Sequence, residues 1–336
     1  MKLFKGALIV GEMTKILITG GCGFIGSHVV NHILTTTNWD IIIVDKLTYA
    51  SQGLDRMTTI GAVNNPRVVI LTCDLTLPLP TGARSVIGTN LDYILHMCAE
   101  THVDSSVSNP GQTCINNIAC TINILEFART LPALKKLLHF STDEVYGPAD
   151  DDKAFKETER HNPTNPYAAS KSAAEQIANS YLHSYNIPLL TMNVMNVIGE
   201  RQHPEKFIPL CVEKLQAGDE IKIHTDNESR IGTRFYIYAK DVARAILLLL
   251  DRGIVGETYN LPGVEEVDNF TIASTIYEIL KEKMTIPKPI FNVTSSDNNR
   301  PNIDRRYSLD GTKILELGFV HEYTFHDALL AAIFQV

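Results

Sequence analysis

The segment Gly20-Gly21-Cys22-Gly23-Phe24-Ile25-Gly26 decides the fold of this 336-residue chain. It follows a short apolar run at residues 15–19 and precedes a helical pattern at residues 25–34. Glycines at positions 20, 23 and 26 allow a tight strand-to-helix turn, close approach of a pyrophosphate, and close packing of the helix. The N-terminus of such a helix attracts phosphate charge. This pattern predicts the first dinucleotide-binding turn of an open α/β sheet.

Strand and helix patterns alternate over the first 193 residues. Short apolar strands are predicted at residues 15–19, 40–44, 67–71, 93–97, 137–140 and 188–193. The strongest helical patterns are residues 25–34, 111–129 and 167–185. This alternation predicts βαβ units and a parallel sheet, whose buried strands are apolar on both faces. We therefore expect an α/β protein with a Rossmann-type, doubly wound parallel sheet.

The pattern becomes less regular after about residue 193, where loops lengthen and Pro, Gly and Asn recur between short elements. We expect an N-terminal extension at residues 1–12 and a Rossmann domain carrying the catalytic residues at 13–193. A smaller substrate-binding lobe at 194–336, partly interleaved with the Rossmann domain, completes the prediction. The apolar run at 245–250 fits a buried helix.

Composition excludes several classes of protein. A net charge of -8 argues against a nucleic-acid binder. No apolar run approaches the roughly 20 residues of a membrane span. Six cysteines, none in a CxxC pair, favour reduced thiols in a cytoplasmic protein, and no metal is expected.

Asp45 follows the second predicted strand, where a carboxylate binds the ribose hydroxyls of a dinucleotide. Because a carboxylate repels a 2′-phosphate, Asp45 favours NAD over NADP. Asp74 ends the third strand and could bind the adenine, and the small residues after the fourth strand let a cofactor lie close. The alternative is a tight turn that binds no ligand. The predicted cofactor contacts are Gly20, Gly23, Phe24, Ile25, Gly26, Asp45, Lys46, Asp74, Leu75, Cys98, Ala99, Tyr167 and Lys171.

Tyr167 and Lys171 lie four residues apart at the start of a predicted helix, and therefore on one face. A lysine cation nearby, together with a nicotinamide charge, should lower the tyrosine pKa. Tyr167 could then accept a proton from a sugar hydroxyl as a general base. The alternative is a tyrosine packed on the core beside a solvated lysine.

Asp143 and Glu144 are adjacent and follow the apolar strand at residues 137–140. Ligands of open α/β sheets bind beyond the carboxyl ends of the strands, so both carboxylates are predicted at the site. Neighbouring carboxylates in a partly buried site should have pKa values pushed apart, which provides one acid and one base. The alternative is a solvated turn.

These motifs together resemble the extended short-chain dehydrogenase/reductases, and more narrowly the dTDP- or UDP-glucose 4,6-dehydratases. The resemblance extends over nearly the whole chain from Lys15. It is carried by Gly20 to Gly26, Asp45-Lys46-Leu47-Thr48-Tyr49-Ala50, Thr101-His102-Val103-Asp104, Ser141 to Gly147, Asn165 to Lys171, and Pro204-Glu205-Lys206. The Thr-Asp-Glu run separates this branch from the sugar 4-epimerases.

The resemblance implies a role for each catalytic residue. Tyr167 acts as base on the C4 hydroxyl while NAD takes the C4 hydride, Lys171 supports Tyr167 and binds the nicotinamide ribose, and Thr142 holds the C4 oxygen. Glu144 removes the C5 proton, and Asp143 protonates the leaving C6 hydroxyl. Return of the hydride to C6 gives a 4-keto-6-deoxy sugar nucleotide, a precursor of deoxysugars such as rhamnose.

The resemblance also implies a nucleotide-diphospho-glucose substrate and a homodimer formed by the helices at 111–129 and 167–185. The implied substrate contacts are His102, Thr142, Asn196, Glu205, Lys206, Arg234, Asn260, Arg300 and Tyr307. Residues 193–199 and 225–232 depart from the family pattern, which leaves the choice between dTDP and UDP open. The alternatives are a UDP-sugar 4-epimerase or decarboxylase of the same fold, and a non-catalytic NAD-binding regulator.

Overall fold

The computed structural model describes residues 13–226, 228–295 and 304–335. The strands are β1 (Lys15–Thr19), β2 (Asp40–Asp45), β3 (Val68–Thr72), β4 (Tyr93–His96), β5 (Lys136–Thr142), β6 (Leu189–Val194), β7 (Asn196–Ile198), β8 (Glu220–Thr225), β9 (Thr233–Tyr238), β10 (Thr258–Leu261), β11 (Glu265–Asp268) and β12 (Ile290–Ser295). The helices are α1 (Phe24–Thr36), α2 (Asp55–Thr59), α3 (Thr81–Ile87), α4 (Val103–Ser108), α5 (Pro110–Ala128), α6 (Pro166–Tyr185), α7 (Phe207–Ala217), α8 (Ala239–Arg252), α9 (Asn269–Lys283), α10 (Thr312–Glu316) and α11 (Phe325–Phe334). Two short 3₁₀ helices span Tyr49–Ser51 and Asp143–Tyr146.

The central sheet has seven strands in the order β10-β6-β5-β4-β1-β2-β3. Every neighbouring pair is parallel, with Ile16 opposite Ile41 and Leu138 opposite Leu190 as examples of the register. The chain runs outward from β1 to β3, then returns to β4 on the other side of β1. That reversal creates a crevice at the carboxyl ends of the strands, where such folds bind ligands. The predicted Rossmann-type sheet is confirmed. Each end of the six predicted strands lies within two residues of the observed end.

Helices cover both faces of this sheet. On one face, α1 and α8 pack against β1 and β2 around Val29, Ile33 and Ile246. On the other face, α5 and α6 pack against the sheet around Ile124 and Ala178. Strands covered on both faces must be apolar throughout, which explains the buried run of β2.

The later part of the chain builds a second core. A three-stranded sheet, β11-β9-β7, and a two-stranded sheet, β12-β8, pack with α7, α9 and α11. However, β10 joins the central sheet beside β6, and α8 covers one of its faces. The later part of the chain therefore contributes β10 and α8 to the first domain. The boundary between the two predicted domains, at residues 193 and 194, stays a proposal. Within the described residues, no helix is long and apolar enough to cross a membrane.

Candidate active site

A cavity of about 340 Å³ lies at the carboxyl ends of β1, β4, β5 and β6. Its wall includes the glycine turn at one end, and Thr142, Glu144, Tyr167 and Lys171 at the other. The structure thus brings twelve of the thirteen predicted cofactor residues and four of the five predicted catalytic residues to one continuous surface.

The glycine turn is sterically constrained. Gly20 has a φ of 73°, and a Cβ atom there would lie 2.9 Å from both the Cα and the N of Cys98. A Cβ atom on Gly26 would lie 2.5 Å from the carbonyl oxygen of Gly20. Because both positions exclude a side chain, α1 begins directly against the end of β1. Gly23, the N-cap of α1, forms no side-chain capping bond, so the first amides of α1 face the cavity as an anion-binding end.

Asp45 is held by two backbone amides at the end of β2. Its Oδ2 accepts from the N–H of Cys22 (3.0 Å), and its Oδ1 accepts from the N–H of Leu47 (2.8 Å). Burial raises the pKa of Asp45, and the two amide bonds oppose that rise. Lys46 donates to Asn116 Oδ1 (2.9 Å) and lies 3.6 Å from Glu100, so its charge is engaged by the protein. The carboxylate of Asp45, and not the ammonium of Lys46, is therefore the group suited to bind ribose hydroxyls.

One predicted cofactor residue lies off this wall. Asp74 is exposed, and its Oδ1 accepts from the N–H of Thr76 (2.9 Å) in the turn after β3. The neighbouring residues Cys73 and Leu75 line the cavity in its place. The remaining predicted cofactor residues all line the cavity: Gly20, Gly23, Phe24, Ile25, Gly26, Asp45, Lys46, Leu75, Cys98, Ala99, Tyr167 and Lys171.

Tyr167 and Lys171 lie in the first turns of α6, as predicted. Asn165 caps this helix by accepting from the N–H of Ala168 (2.9 Å), and Pro166 occupies its first turn. Lys171 Nζ donates to the carbonyl oxygen of Phe140 (2.6 Å), and burial lowers the pKa of Lys171 to about 8.

The pKa of Tyr167 is raised in this structure, whereas the sequence analysis expected the lysine together with a nicotinamide charge to lower it. Burial raises it, and the charges of Glu144 and Asp143 raise it further, whereas a hydrogen bond with Thr142 acts in the opposite direction. The prediction included the positive charge of a bound nicotinamide and stays a prediction for the NAD-bound enzyme, but it left out the two carboxylates nearby.

Asp143 and Glu144 occupy the 3₁₀ turn after β5. Asp143 is 3% exposed; Thr142 Oγ1 donates to its Oδ1 (3.1 Å), and its Oδ2 has no hydrogen-bond partner within the described residues. Burial, then the charge of Glu144, raises the pKa of Asp143 to about 7. Burial also raises the pKa of Glu144, but Asn165 donates to its Oε2 (2.9 Å) and favours the charged form. Asp143 is therefore the better proton donor and Glu144 the better acceptor.

The predicted substrate residues divide into two groups. Asn196, Glu205 and Lys206 line the cavity. Arg234 lies near the acid pair, where its charge opposes part of the rise in the pKa of both carboxyls. Its guanidinium donates to the carbonyl oxygens of Thr233, Asp304 and Arg305, and stacks 4.9 Å from the ring of Tyr307.

Among the described residues, His102, Asn260 and Tyr307 do not line the cavity. The His102 ring contacts Ser105 Oγ (2.8 Å) at the start of α4. Asn260 is fully buried, donating to the carbonyl of Phe155 (2.9 Å) and accepting from the hydroxyl of Tyr146 (3.2 Å). Its amide thus supports the core behind the cavity. Arg300 lies outside the described residues.

Sequence reasoning missed Glu175. This carboxyl is 7% exposed, accepts from Asn193 Nδ2 (2.9 Å) and from the hydroxyl of Ser141, and lies 3.6 Å from His161. It ties α6 to β5 and β6 about one helical turn after Lys171. Its spacing of four residues after Lys171, on the buried face of α6, is the signal that could have found it.

A family model for GDP-mannose 4,6 dehydratase matches residues 17–331. The chain belongs to this family. It is a nucleotide-sugar 4,6-dehydratase with the extended short-chain dehydrogenase/reductase fold, which confirms the resemblance drawn from the motifs.

Individual relatives agree. A dTDP-glucose 4,6-dehydratase of Neisseria gonorrhoeae is 35% identical over 94% of this chain and 93% of its own length. A trifunctional Arabidopsis thaliana protein, whose first-named activity is UDP-glucose 4,6-dehydratase, is 34% identical over 94% of this chain and 46% of its own length. A dTDP-glucose 4,6-dehydratase from Streptomyces venezuelae, solved with NAD, superimposes with a TM-score of 0.82 at 31% identity, covering 95% of this chain and 96% of its own.

Proposed function

We propose that this nucleotide-sugar 4,6-dehydratase acts on dTDP-glucose or UDP-glucose with a bound NAD that is regenerated in each turnover. One observation carries the proposal: the Tyr167–Lys171 pair and Glu144 share a cavity wall, with Asp143 buried beside them. A simple dehydrogenase has use for the first pair alone. An enzyme that also eliminates water needs a separate acid and base.

The residues present fit NAD. The glycine turn excludes side chains where a pyrophosphate would lie against α1, and Asp45 is held at the end of β2 for ribose hydroxyls. When bound, NAD supplies the capacity to accept a hydride from C4 of the sugar and to return it to C6.

In the first step, Tyr167 accepts the proton of the C4 hydroxyl, which leaves a C4 ketone. The ammonium of Lys171 stabilises the negative charge that Tyr167 needs for this task. Its pKa of about 8 keeps Lys171 mostly charged at neutral pH. The hydroxyl of Thr142 orients the C4 oxygen from the end of β5.

In the second step, Glu144 removes the proton from C5, which the C4 ketone has made acidic. Asp143 donates its proton to the C6 oxygen, the C6–O bond breaks, and water leaves. The pKa of about 7 allows Asp143 to carry that proton at neutral pH. Glu144 then returns its proton to C5, so Tyr167 ends with one proton gained and Asp143 with one proton lost. Exchange of one proton between these groups or with solvent resets the site.

The nucleotide diphosphate lies, in this proposal, toward Asn196, Glu205 and Lys206 on the far wall. Arg234 acts on the acid pair through its charge, and Arg300 is a proposed diphosphate contact from the sequence alone. The family relatives include both dTDP- and UDP-glucose enzymes, so both substrates are proposed.

We also propose a cytoplasmic homodimer formed by α5 and α6. These helices pack together on one face of the sheet, and Ile115 of α5 is 65% exposed. A single exposed isoleucine is ordinary on a monomer, so this proposal rests on the family resemblance. Sedimentation of the purified protein measures the assembly directly.

Substrate deuterated at C4 tests the reaction. The dehydratase should deliver deuterium to the C6 methyl group of the product, with no free reduced cofactor formed. A 4-epimerase would return the label to C4, a decarboxylase would release carbon dioxide from a uronic acid substrate, and a regulator would give no product. Label found anywhere but C6 overturns the proposed reaction. Parallel assays with dTDP-glucose and UDP-glucose measure the base preference.

A further inference from the structure

Two segments of the cavity wall are joined by a buried arginine that the dehydration chemistry does not use. The first segment, residues 48–51, follows β2, and the second, residues 201–206, follows β7; residues of both line the cavity. Arg56 lies in α2 and is 2% exposed. Its Nη1 donates to the carbonyl oxygen of Ala50 (2.6 Å), and its Nε donates to the carbonyl oxygen of Arg201 (2.9 Å). One guanidinium therefore bridges the two segments.

The second segment is itself anchored to the rest of the fold. Arg201 has a φ of 66°, a conformation that residues with side chains adopt rarely. Its N–H donates to Gln335 Oε1 (2.7 Å), and its guanidinium lies 3.2 Å from His28 Nδ1 in α1 and 3.5 Å from Glu200 Oε1. The carbonyl of Arg201 is thus a fixed point, and the bond from Arg56 holds the first segment to it.

The two segments also touch at the surface. The rings of Tyr49 and His203 meet edge to face, with 5.5 Å between their centroids. Tyr49 is 55% exposed, whereas the bridge of Arg56 is buried. Because each segment lines the cavity and the two are joined both inside and outside, their junction closes one side of the cavity. A bound molecule that leaves on this side must separate them.

We propose that Arg56 is a positioning residue that keeps this side of the cavity closed and so retains the cofactor on the enzyme between the oxidation and reduction steps. The proposal rests on the proposed reaction, in which the hydride taken from C4 returns to C6 of the same sugar. Loss of the reduced cofactor after the first step would leave an oxidised sugar and an enzyme that cannot complete the reaction. The charge of Arg56 also opposes part of the rise in the pKa of Asp45, the carboxylate held for ribose hydroxyls.

The test measures release of the cofactor from the purified holoenzyme. Wild type, Arg56→Lys and Arg56→Gln are loaded with radiolabelled NAD, and the loss of label is followed after a chase with excess unlabelled NAD. Lysine keeps the charge but lacks the planar fork that reaches two carbonyls, and glutamine is shorter and uncharged. We expect release to be about tenfold faster or more in both variants, the effect of losing a hydrogen bond from a charged donor.

Arg67 provides the matched control. It also donates to two backbone carbonyls, those of Leu34 (2.6 Å) and Thr37 (2.7 Å). It precedes β3, however, and so lies at the end of the sheet opposite to the cavity. Arg67→Lys removes a similar fork and should leave the rate of release unchanged. Equal acceleration in Arg67→Lys would show that a general loss of stability frees the cofactor, and would overturn the proposal.

Turnover gives a second readout. With substrate present, the wild type should form no free reduced cofactor. Arg56→Lys should release reduced cofactor and lose activity over successive turnovers, and added NAD should restore that activity. A merely structural role would lower activity in a way that added NAD does not restore.

The outcomes separate this proposal from the proposed reaction. Release at the wild-type rate in the Arg56 variants overturns the closure, while delivery of deuterium to C6 by the wild type still supports the reaction. Failure of the wild type to bind NAD in calorimetry overturns the cofactor role and the closure with it. If circular dichroism shows that the Arg56 variants do not fold, Tyr49→Ala decides, because it removes only an exposed ring. It should also speed release, and an unchanged rate overturns the closure.

Discussion

Replacing Glu175 by Gln should stabilise the protein above pH 7. Glu175 is 7% exposed and bridges α6 to β5 and β6 through Ser141 and Asn193. Glutamine has nearly the same shape and retains an oxygen that accepts from both partners. The substitution therefore removes a buried negative charge while preserving most of the bridge.

The magnitude follows from the pKa. Burial raises the pKa of Glu175 from 4.5 to about 7. At 1.36 kcal/mol per pKa unit, ionising this carboxyl in the folded protein costs on the order of 3 kcal/mol more than in the unfolded chain. Because the folded pKa of an acid is raised, the wild type loses stability as pH rises from about 4.5 to about 7, and the full loss is present above pH 7. Glutamine does not titrate, so its advantage grows over the same window.

Neighbouring groups modify the size of this effect. Lys171 lies one turn earlier on α6, and its attraction to Glu175 offsets part of the desolvation. His161 lies 3.6 Å away with a pKa lowered by burial, so it is neutral above pH 7. Ser141 and Asn193, which donate to Glu175, are uncharged there, and the charged Glu157, Glu159 and Arg160, which line a cavity with Glu175, are the same in both proteins. Asp143 titrates in the same window, but it does so in both proteins and cancels in the difference.

The assay is urea unfolding of both proteins at intervals from pH 5 to pH 8.5. The difference in unfolding free energy should be small at pH 5 and should favour the variant by on the order of 3 kcal/mol at pH 8. Glu159→Gln is the control, because Glu159 and Glu175 both line a separate cavity bordered by α6 and β6, but Glu159 is 42% exposed and pairs with Lys153 at 3.8 Å. Its effect should stay within about 0.5 kcal/mol. A difference independent of pH, or a variant less stable at pH 8, would refute the reasoning.

Three further predictions concern the site. Tyr167→Phe should lower turnover by about 10²–10⁴ while NAD binding and the circular dichroism spectrum stay unchanged, and wild-type turnover would contradict its role as base. Glu144→Gln should stall after oxidation, so absorbance of reduced cofactor accumulates on the enzyme when substrate is added; normal release of product would exclude Glu144 as the C5 base. Gly26→Ala places a Cβ atom 2.5 Å from the Gly20 carbonyl oxygen and should weaken NAD binding in calorimetry and destabilise by about 1–3 kcal/mol in urea. Gly111→Ala, with nothing within 4 Å of its Cβ, should do neither, and equal effects would show that the glycine turn is not the cause.

The sheet could be predicted because its signals are local. The apolar run of β2 predicts a buried strand, and the glycine spacing before α1 predicts the turn into that helix, each from a few consecutive residues. The seventh strand could not be predicted in this way. β10 has only four residues, Thr258–Leu261. It joins the sheet by pairing with β6, a strand that lies more than 60 residues earlier in the chain. Such a contact depends on tertiary packing, which no local pattern encodes.

The residue types of the site could be predicted, but their environments could not. Asn196 and Asn260 both lie in strands, β7 and β10. Only Asn196 lines the cavity, whereas the side-chain amide of Asn260 forms its hydrogen bonds in the core. Which way a side chain points depends on the register of its strand. The pKa of Tyr167 likewise depends on two carboxylates brought from another element, whose effect the sequence of its own helix does not show.

The different environments of Asp143 and Glu144 follow from the turn that carries them. β5 continues through Thr142, and Asp143–Tyr146 then form a 3₁₀ helix, in which three residues complete a turn and adjacent side chains point about 120° apart. Asp143 is thereby directed inward beside Thr142, whereas Glu144 reaches the cavity wall and accepts from Asn165. In an extended strand the two would lie on opposite faces of the sheet, and only one could serve the site. Because Asn165 also caps α6, the same side chain that begins the helix of Tyr167 and Lys171 holds Glu144, so the proposed oxidation and elimination groups share one support.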